Sequence, residues 1–175
     1  MRIENTDRQT GSASRRSKRY AQLLSLAQAR FASQGFEGTS LSQVAKDAGI
    51  RKASLYYHFK TKEVLYLAVL GEIVAHLGGL VRDAAAAEGG FVERLDQLGG
   101  LVVEYCGKHP EVAPLLLREM VGPGRFVASD GWQAVELTLD LTARFLEAGM
   151  AAGAFRRQDP PQLTLSVVGL HPLYF

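Results

Sequence analysis

Residues 39–65 read TSLSQVAKDAGIRKASLYYHFKTKEVL, from Thr39 to Leu65. Ser40 and Gln43 form an S-x-x-Q capping box, which marks a helix start. Leu41, Val44, Ala45 and Ala48 then fall at i, i+3, i+4 and i+7, so one face of that helix is buried. Gly49 stands where a helix ends in a left-handed turn, and Ile50 plugs the turn. A second helix is expected over Arg51–Phe59, with Leu55 and Phe59 one turn apart as its core anchors. At about 100° per residue, Ala53, Ser54 and Tyr57 lie roughly opposite those anchors, and Tyr56 and His58 flank them. Arg51 and Lys52 occupy the N-terminal end of this helix. A third helix is expected from Thr61, with Glu63 in its first turn. Lys62 lies there, close to free backbone N–H groups. The pattern is a helix-turn-helix, a shape suited to placing a helix end in a DNA major groove.

The residues that carry this reading resemble the DNA-binding domain of the TetR/AcrR family of bacterial repressors. The matching pieces are Phe31, the run Gly35-Phe36-Glu37-Gly38-Thr39-Ser40, Val44-Ala45, Ala48-Gly49-Ile50, Leu55-Tyr56-Tyr57-His58-Phe59, and Lys62-Glu63 with Leu65. They cover roughly residues 18–70. The resemblance implies an all-α fold with a three-helix DNA-binding domain followed by a helical ligand-binding and dimerisation domain. It places DNA contacts at the matched positions Ser42, Arg51, Lys52, Ala53, Ser54, Tyr56, Tyr57, His58 and Lys62. One position departs from the pattern. Arg51 stands where the family usually has a Ser or Thr that caps the recognition helix. Arg51 cannot cap in that way and is free to contact a phosphate or a guanine instead.

The charge distribution points the same way. Residues 1–62 hold 12 Lys+Arg against 4 Asp+Glu, and residues 63–175 hold 8 against 14. The formal net charge of +2 therefore hides a basic half and an acidic half. The basic half is the one with the helix-turn-helix, as expected of a nucleic-acid footprint. The lone cysteine, Cys106, permits no intramolecular disulfide and fits a reducing cytoplasm. The polar first twenty or so residues lack the apolar region of a secretory signal. No continuous apolar run approaches a membrane span, so the chain is expected to be cytoplasmic.

Three segments are expected. Residues 1–16 read as a disordered basic arm that leads into Lys18 and Arg19. Residues 17–62 form the DNA-binding domain, whose first helix, over 17–34, buries Tyr20, Leu23, Leu24, Ala27 and Phe31. Residues 63–175 form the second domain. There the long helix from Thr61 buries Val64, Leu65, Ala68, Ile73, Val74 and Leu77. Further helices follow over Phe91–Lys108, from His109-Pro110 to Gly122-Pro123-Gly124, from Ser129 or Asp130 to about Ala152, and from Asp159-Pro160-Pro161 onward. The helix from Ser129 or Asp130 carries two apolar stripes. One holds Trp132, Val135, Leu139 and Leu146. The other holds Ala134, Leu137, Leu141, Phe145 and Ala148. Two stripes need two packing partners, and the resemblance implies that one is a second subunit. The dimer surface is accordingly expected to use Leu137, Leu141, Phe145, Leu163, Val167 and Leu170. The apolar end Leu173-Tyr174-Phe175 suggests a last helix that is truncated, or followed by further residues.

In the second domain the resemblance implies a cavity for a small, partly apolar effector, with His76, Tyr105, Cys106, Met120 and Trp132 as candidate lining. His58, His76, His109 and His171 are scattered, and no Cys/His cluster indicates a metal. No catalytic constellation or cofactor motif stands out, so neither an enzyme nor a cofactor is expected. The leading expectation is a homodimeric repressor released from a near-palindromic operator by its effector. A regulator that acts without a ligand, or a helical protein-interaction module, are the alternatives.

Overall fold

The computed structural model describes the backbone of residues 4–170 except Pro123 and Val127. It describes side chains over residues 18–170, apart from those two, Leu165 and residues 168–170. Among the described residues there are helices and no strands: α1 (Glu4–Gly38), α2 (Leu41–Asp47), α3 (Lys52–His58), α4 (Lys62–Ala86), α5 (Phe91–Lys108), α6 (Val112–Val121), α7 (Trp132–Ala151) and α8 (Pro160–Leu170). The end of the chain, Leu173-Tyr174-Phe175, lies outside the described residues.

The chain divides into two compact units, Met1–Val69 and Leu70–Phe175. The division was expected at 62/63 and falls a turn or two later, inside α4. Leu65, Tyr66 and Val69 are buried in the first unit. The Tyr66 ring meets Phe31 and Phe36 edge-on at centroid distances of 5.0 and 5.2 Å.

In the first unit, α1 buries Leu23, Leu24, Ala27 and Phe31 as the periodicity requires. Its helix starts at Glu4, whereas residues 1–16 were expected to be irregular. That stretch contains no proline to break a helix. Gly35 kinks the far end of α1 with φ 72°, a backbone that glycine adopts without strain. Thr39 donates its hydroxyl to the Gly35 carbonyl at 2.8 Å and closes the kink. The capping box on α2 is present, with the Gln43 amide donating to the Ser40 hydroxyl and the Ser40 amide donating to the Gln43 side chain. Gly49, at φ 61°, makes the turn.

Two expected core residues are exposed. Tyr20 is 42% accessible and stacks on Phe59 at 5.7 Å instead of entering the core. Val64 is also exposed, one position ahead of the buried Leu65. Both sit at an edge of the helix stripe, where the neighbouring helices decide burial.

α4 also corrects an expectation. Among the described residues it is long and apolar enough to cross a membrane by length and composition. Its apolar side chains nevertheless include core residues of both units: Leu65 and Val69 in the first, Leu70, Ile73 and Val74 in the second.

In the second unit, Phe145, Leu146 and Met150 of α7 form a core joined by Phe91, Leu95, Phe155 and Leu163. Arg94 stacks on Phe91 and Phe145, each 5.0 Å from its guanidinium. It donates to the carbonyls of Ala84 and Ala85, which satisfies the C-terminal end of α4. Gly149 is required by close approach, because a Cβ there would collide with the Phe155 ring. Asp159 caps α8 by accepting from the Gln162 amide at 3.0 Å, and Pro160 takes the first helical position.

α3, unlike its neighbours α2 and α4, starts without a side-chain cap. Arg51 occupies its N-cap with φ −67° and ψ 140° and makes no side-chain cap bond. Arg51→Ser is expected to add the missing bond and stabilise the first unit by about 1 kcal/mol. An increased urea midpoint by circular dichroism would show it, and an unchanged or lower midpoint would contradict it.

Candidate nucleic-acid interface

α3 has seven residues, too few to hold a helix without tertiary support. Leu55, fully buried, and Phe59 at its C-cap anchor it. Their burial turns the opposite face outward. Lys52, Ala53, Ser54, Tyr56, Tyr57 and His58 are all exposed, and Tyr57 is 78% accessible. Arg51 at the start of α3 and Ser42 on α2 are exposed as well. α2 packs on both α1 and α3, which fixes the turn between the two short helices. An exposed recognition helix carrying cationic, hydroxyl and aromatic groups can meet base edges and phosphates.

The cations near this face are in different states. Lys52 lies over the Tyr56 ring, 5.4 Å from its centroid. Lys62 lies 4.3 Å from the Phe36 ring centroid, donates to the Glu37 carbonyl at 3.4 Å and pairs with the Glu37 carboxylate at 3.8 Å. It thus ties the start of α4 to the end of α1. Thr61 caps α4 by accepting from the Val64 amide.

One structural pair escaped the sequence reading. Arg30 of α1 makes a two-pronged ion pair with Asp47 at the end of α2. Nothing but opposite charge, 17 positions apart, signals it. The hydrogen bond from Arg30 holds the Asp47 carboxyl below the usual carboxylate range, aided by the positive charges of Arg30 and Lys46. A folded-state pKa below the unfolded one contributes stability above the unfolded value and loses it as pH falls through the folded value. Asp47→Asn is therefore expected to lower the urea midpoint modestly at pH 7 and by less as the pH falls below the usual carboxylate range. Both groups are partly exposed, so screening keeps the effect small. An equal loss at pH 7 and below that range would mean that the pair's charge is not what Asp47 contributes.

The second unit brings together only part of the expected ligand set. His76 stacks on Tyr105 at 4.1 Å, and Tyr105 meets His109 at 4.8 Å. Burial, helped by Cys106, Glu111 and Glu72, pushes the Tyr105 hydroxyl up to about 12, so it stays protonated. Cys106 is buried, and burial raises its thiol, which leaves it an unreactive neutral group. Met120 is 66% exposed near the end of α6, and the Trp132 indole N–H donates to Glu136 one turn along α7. A cavity of about 300 Å³ lies at the start of α8, lined by Gln158, Asp159, Gln162, Leu163 and Ser166. It includes none of the five expected residues.

The expected dimer residues also divide. Leu137 is 56% exposed, and Leu141 and Val167 are half-buried. Phe145 is buried in the subunit's own core, against Phe91 and Phe155, and Leu163 packs on the same cluster. Phe145 is thus a core residue rather than a surface one. Periodicity alone could not separate the two roles. The Leu170 side chain lies outside the described residues.

Comparison with known proteins adds an independent line. Residues 23–69 match the family described as bacterial regulatory proteins, tetR family. Residues 92–175 match the tetracyclin repressor-like C-terminal domain. The HTH-type transcriptional regulator RutR of Escherichia coli (strain K12) is 28% identical over 163 residues, covering 90% of this chain and 74% of RutR. Among solved structures, the fatty acid degradation regulator FadR of Bacillus halodurans has a TM-score of 0.76 at 19% identity, over 88% of this chain and 83% of that one. FadR from Bacillus subtilis, solved in complex with stearoyl-CoA, has a TM-score of 0.74 at 16% identity, over 88% of this chain and 83% of that one. With the anchored helix-turn-helix and both halves matched, the chain belongs to the TetR family of bacterial regulatory proteins and is a DNA-binding transcriptional regulator.

Proposed function

We propose that the protein is a homodimeric cytoplasmic repressor that leaves a near-palindromic operator when a small, partly apolar molecule binds its second unit. The outward face of α3, held by Leu55 and Phe59 in the basic half of the chain, carries the reading. Its DNA contacts are Ser42, Arg51, Lys52, Ala53, Ser54, Tyr56, Tyr57, His58 and Lys62. Lys52 and Ser54 meet base edges, Tyr57 a base edge or thymine methyl, and Tyr56 and Lys62 phosphates. Lys62 keeps its contacts to Phe36 and Glu37 while doing so.

A dimer supplies two recognition helices for two half-sites. The exposed Leu137 and half-buried Leu141 on α7, with Val167 on α8, support such a surface. The effector acts by binding one of two conformations more tightly, since only differential affinity shifts an equilibrium. α4 contributes core residues to both units and is the element through which that preference passes. The exposure of His76 and Met120, which line no enclosed space, favours a second reading, a regulator that responds to no ligand.

Footprinting tests the dimer. Two protected half-sites with centres about 34–36 Å apart, or a multiple of that, are expected. A single protected half-site would overturn it. A thermal-shift screen with fatty acyl-CoAs, fatty acids and small aromatic acids tests the effector. A compound that raises the melting temperature and weakens operator binding supports release. Compounds that bind without changing operator affinity support the second reading.

A further inference from the structure

We infer that Arg51 is a specificity-determining residue that reads the O6 and N7 acceptors of one guanine in each half-site. The inference rests on the regulator reading above. It begins from a contrast between two neighbouring helices. α2 has a complete capping box, whereas α3 begins at an arginine that makes no cap bond. A serine at this position would supply the missing bond, so the arginine costs the helix stability that its neighbour retains.

The guanidinium is also uncommitted. Arg30 is held by Asp47, Lys62 by Glu37 and the Phe36 ring, and Lys52 lies over Tyr56. Arg51 is exposed, and its side chain has no ion-pair, hydrogen-bond or ring partner among the described residues, its carbonyl alone accepting from the Ser54 and Leu55 amides. Its donors form a rigid planar fork, and the guanine edge in the major groove offers two acceptors that match it. The position is at the N-terminal end of α3, the part of a recognition helix that reaches base edges. A phosphate would also accept from the fork, but it would contribute no sequence preference.

The test uses the full-length protein and labelled DNA from upstream of its own gene, read by fluorescence anisotropy. Each guanine of the footprinted site is replaced in turn by 7-deazaguanine, which keeps base pairing and removes N7. For the wild type, one replacement per half-site is expected to weaken binding roughly tenfold or more. For Arg51→Ser the same replacement is expected to have no effect, while the salt dependence of binding stays as in the wild type. Circular dichroism of the variant confirms that it is folded, and Arg51→Ala repeats the measurement without a new cap.

Two results would overturn the inference while the regulator reading stands. One is a variant as sensitive as the wild type at every guanine. The other is a variant weakened uniformly on all sequences, with a salt slope reduced by about one per subunit, which is the signature of a phosphate contact. A wild type that binds upstream and scrambled DNA equally would overturn both.

Discussion

Leu55→Ala is expected to abolish operator binding and to destabilise the DNA-binding unit by about 2–5 kcal/mol. Leu55 is fully buried and is the one buried side chain within α3. A seven-residue helix has almost no stability of its own, so tertiary anchoring holds it in place. Truncation leaves a cavity beneath the helix and frees the whole outward face from its orientation. Tyr57→Ala is the matched control. Tyr57 is 78% exposed, so its removal should change stability by less than about 0.5 kcal/mol. It should still weaken DNA binding. Urea denaturation followed by circular dichroism, beside anisotropy, separates the two effects. A Leu55→Ala protein with wild-type stability and binding would refute the anchoring account.

Phe145→Ala is expected to destabilise the second unit by about 3–5 kcal/mol. The ring touches Phe91 and Phe155, and Arg94 stacks on it while donating to the end of α4. Its loss opens a cavity and loosens the junction of α4 and α5. Leu137→Arg offers the contrast from the same helix. Leu137 is exposed, so the charge should leave the subunit folded and raise the dimer dissociation constant. Scanning calorimetry and analytical ultracentrifugation distinguish the outcomes. A Phe145→Ala protein that keeps its melting temperature and loses only its dimer would restore Phe145 to the interface.

These two residues also show where sequence reading succeeds and stops. Leu55 and Phe59 were legible because local periodicity within one short helix determines them, and the capping box at Ser40 and Gln43 is equally local. Phe145 was misplaced because it shares a stripe with the exposed Leu137, and only the positions of Phe91 and Phe155 show that the stripe turns inward at Phe145. Tyr20 fits the α1 stripe, yet its ring stacks over Phe59, about forty positions away. The Arg30–Asp47 pair leaves no pattern at all. The outward face of α3 was legible by the same logic as its anchors. Residues for an effector are not legible by that logic, because a cavity depends on how several helices meet. The structure brings His76 and Tyr105 together and leaves Met120 in solvent.

The central claim, that the face of α3 reads DNA, is tested most directly by anisotropy of the full-length protein against its own upstream DNA and a scrambled control. Two salt concentrations and the Tyr56→Ala and Lys62→Ala variants complete the design. The account predicts tight binding to the upstream DNA alone, weakened by salt and by each substitution. Equal binding to both DNAs, unchanged in the variants, would contradict it.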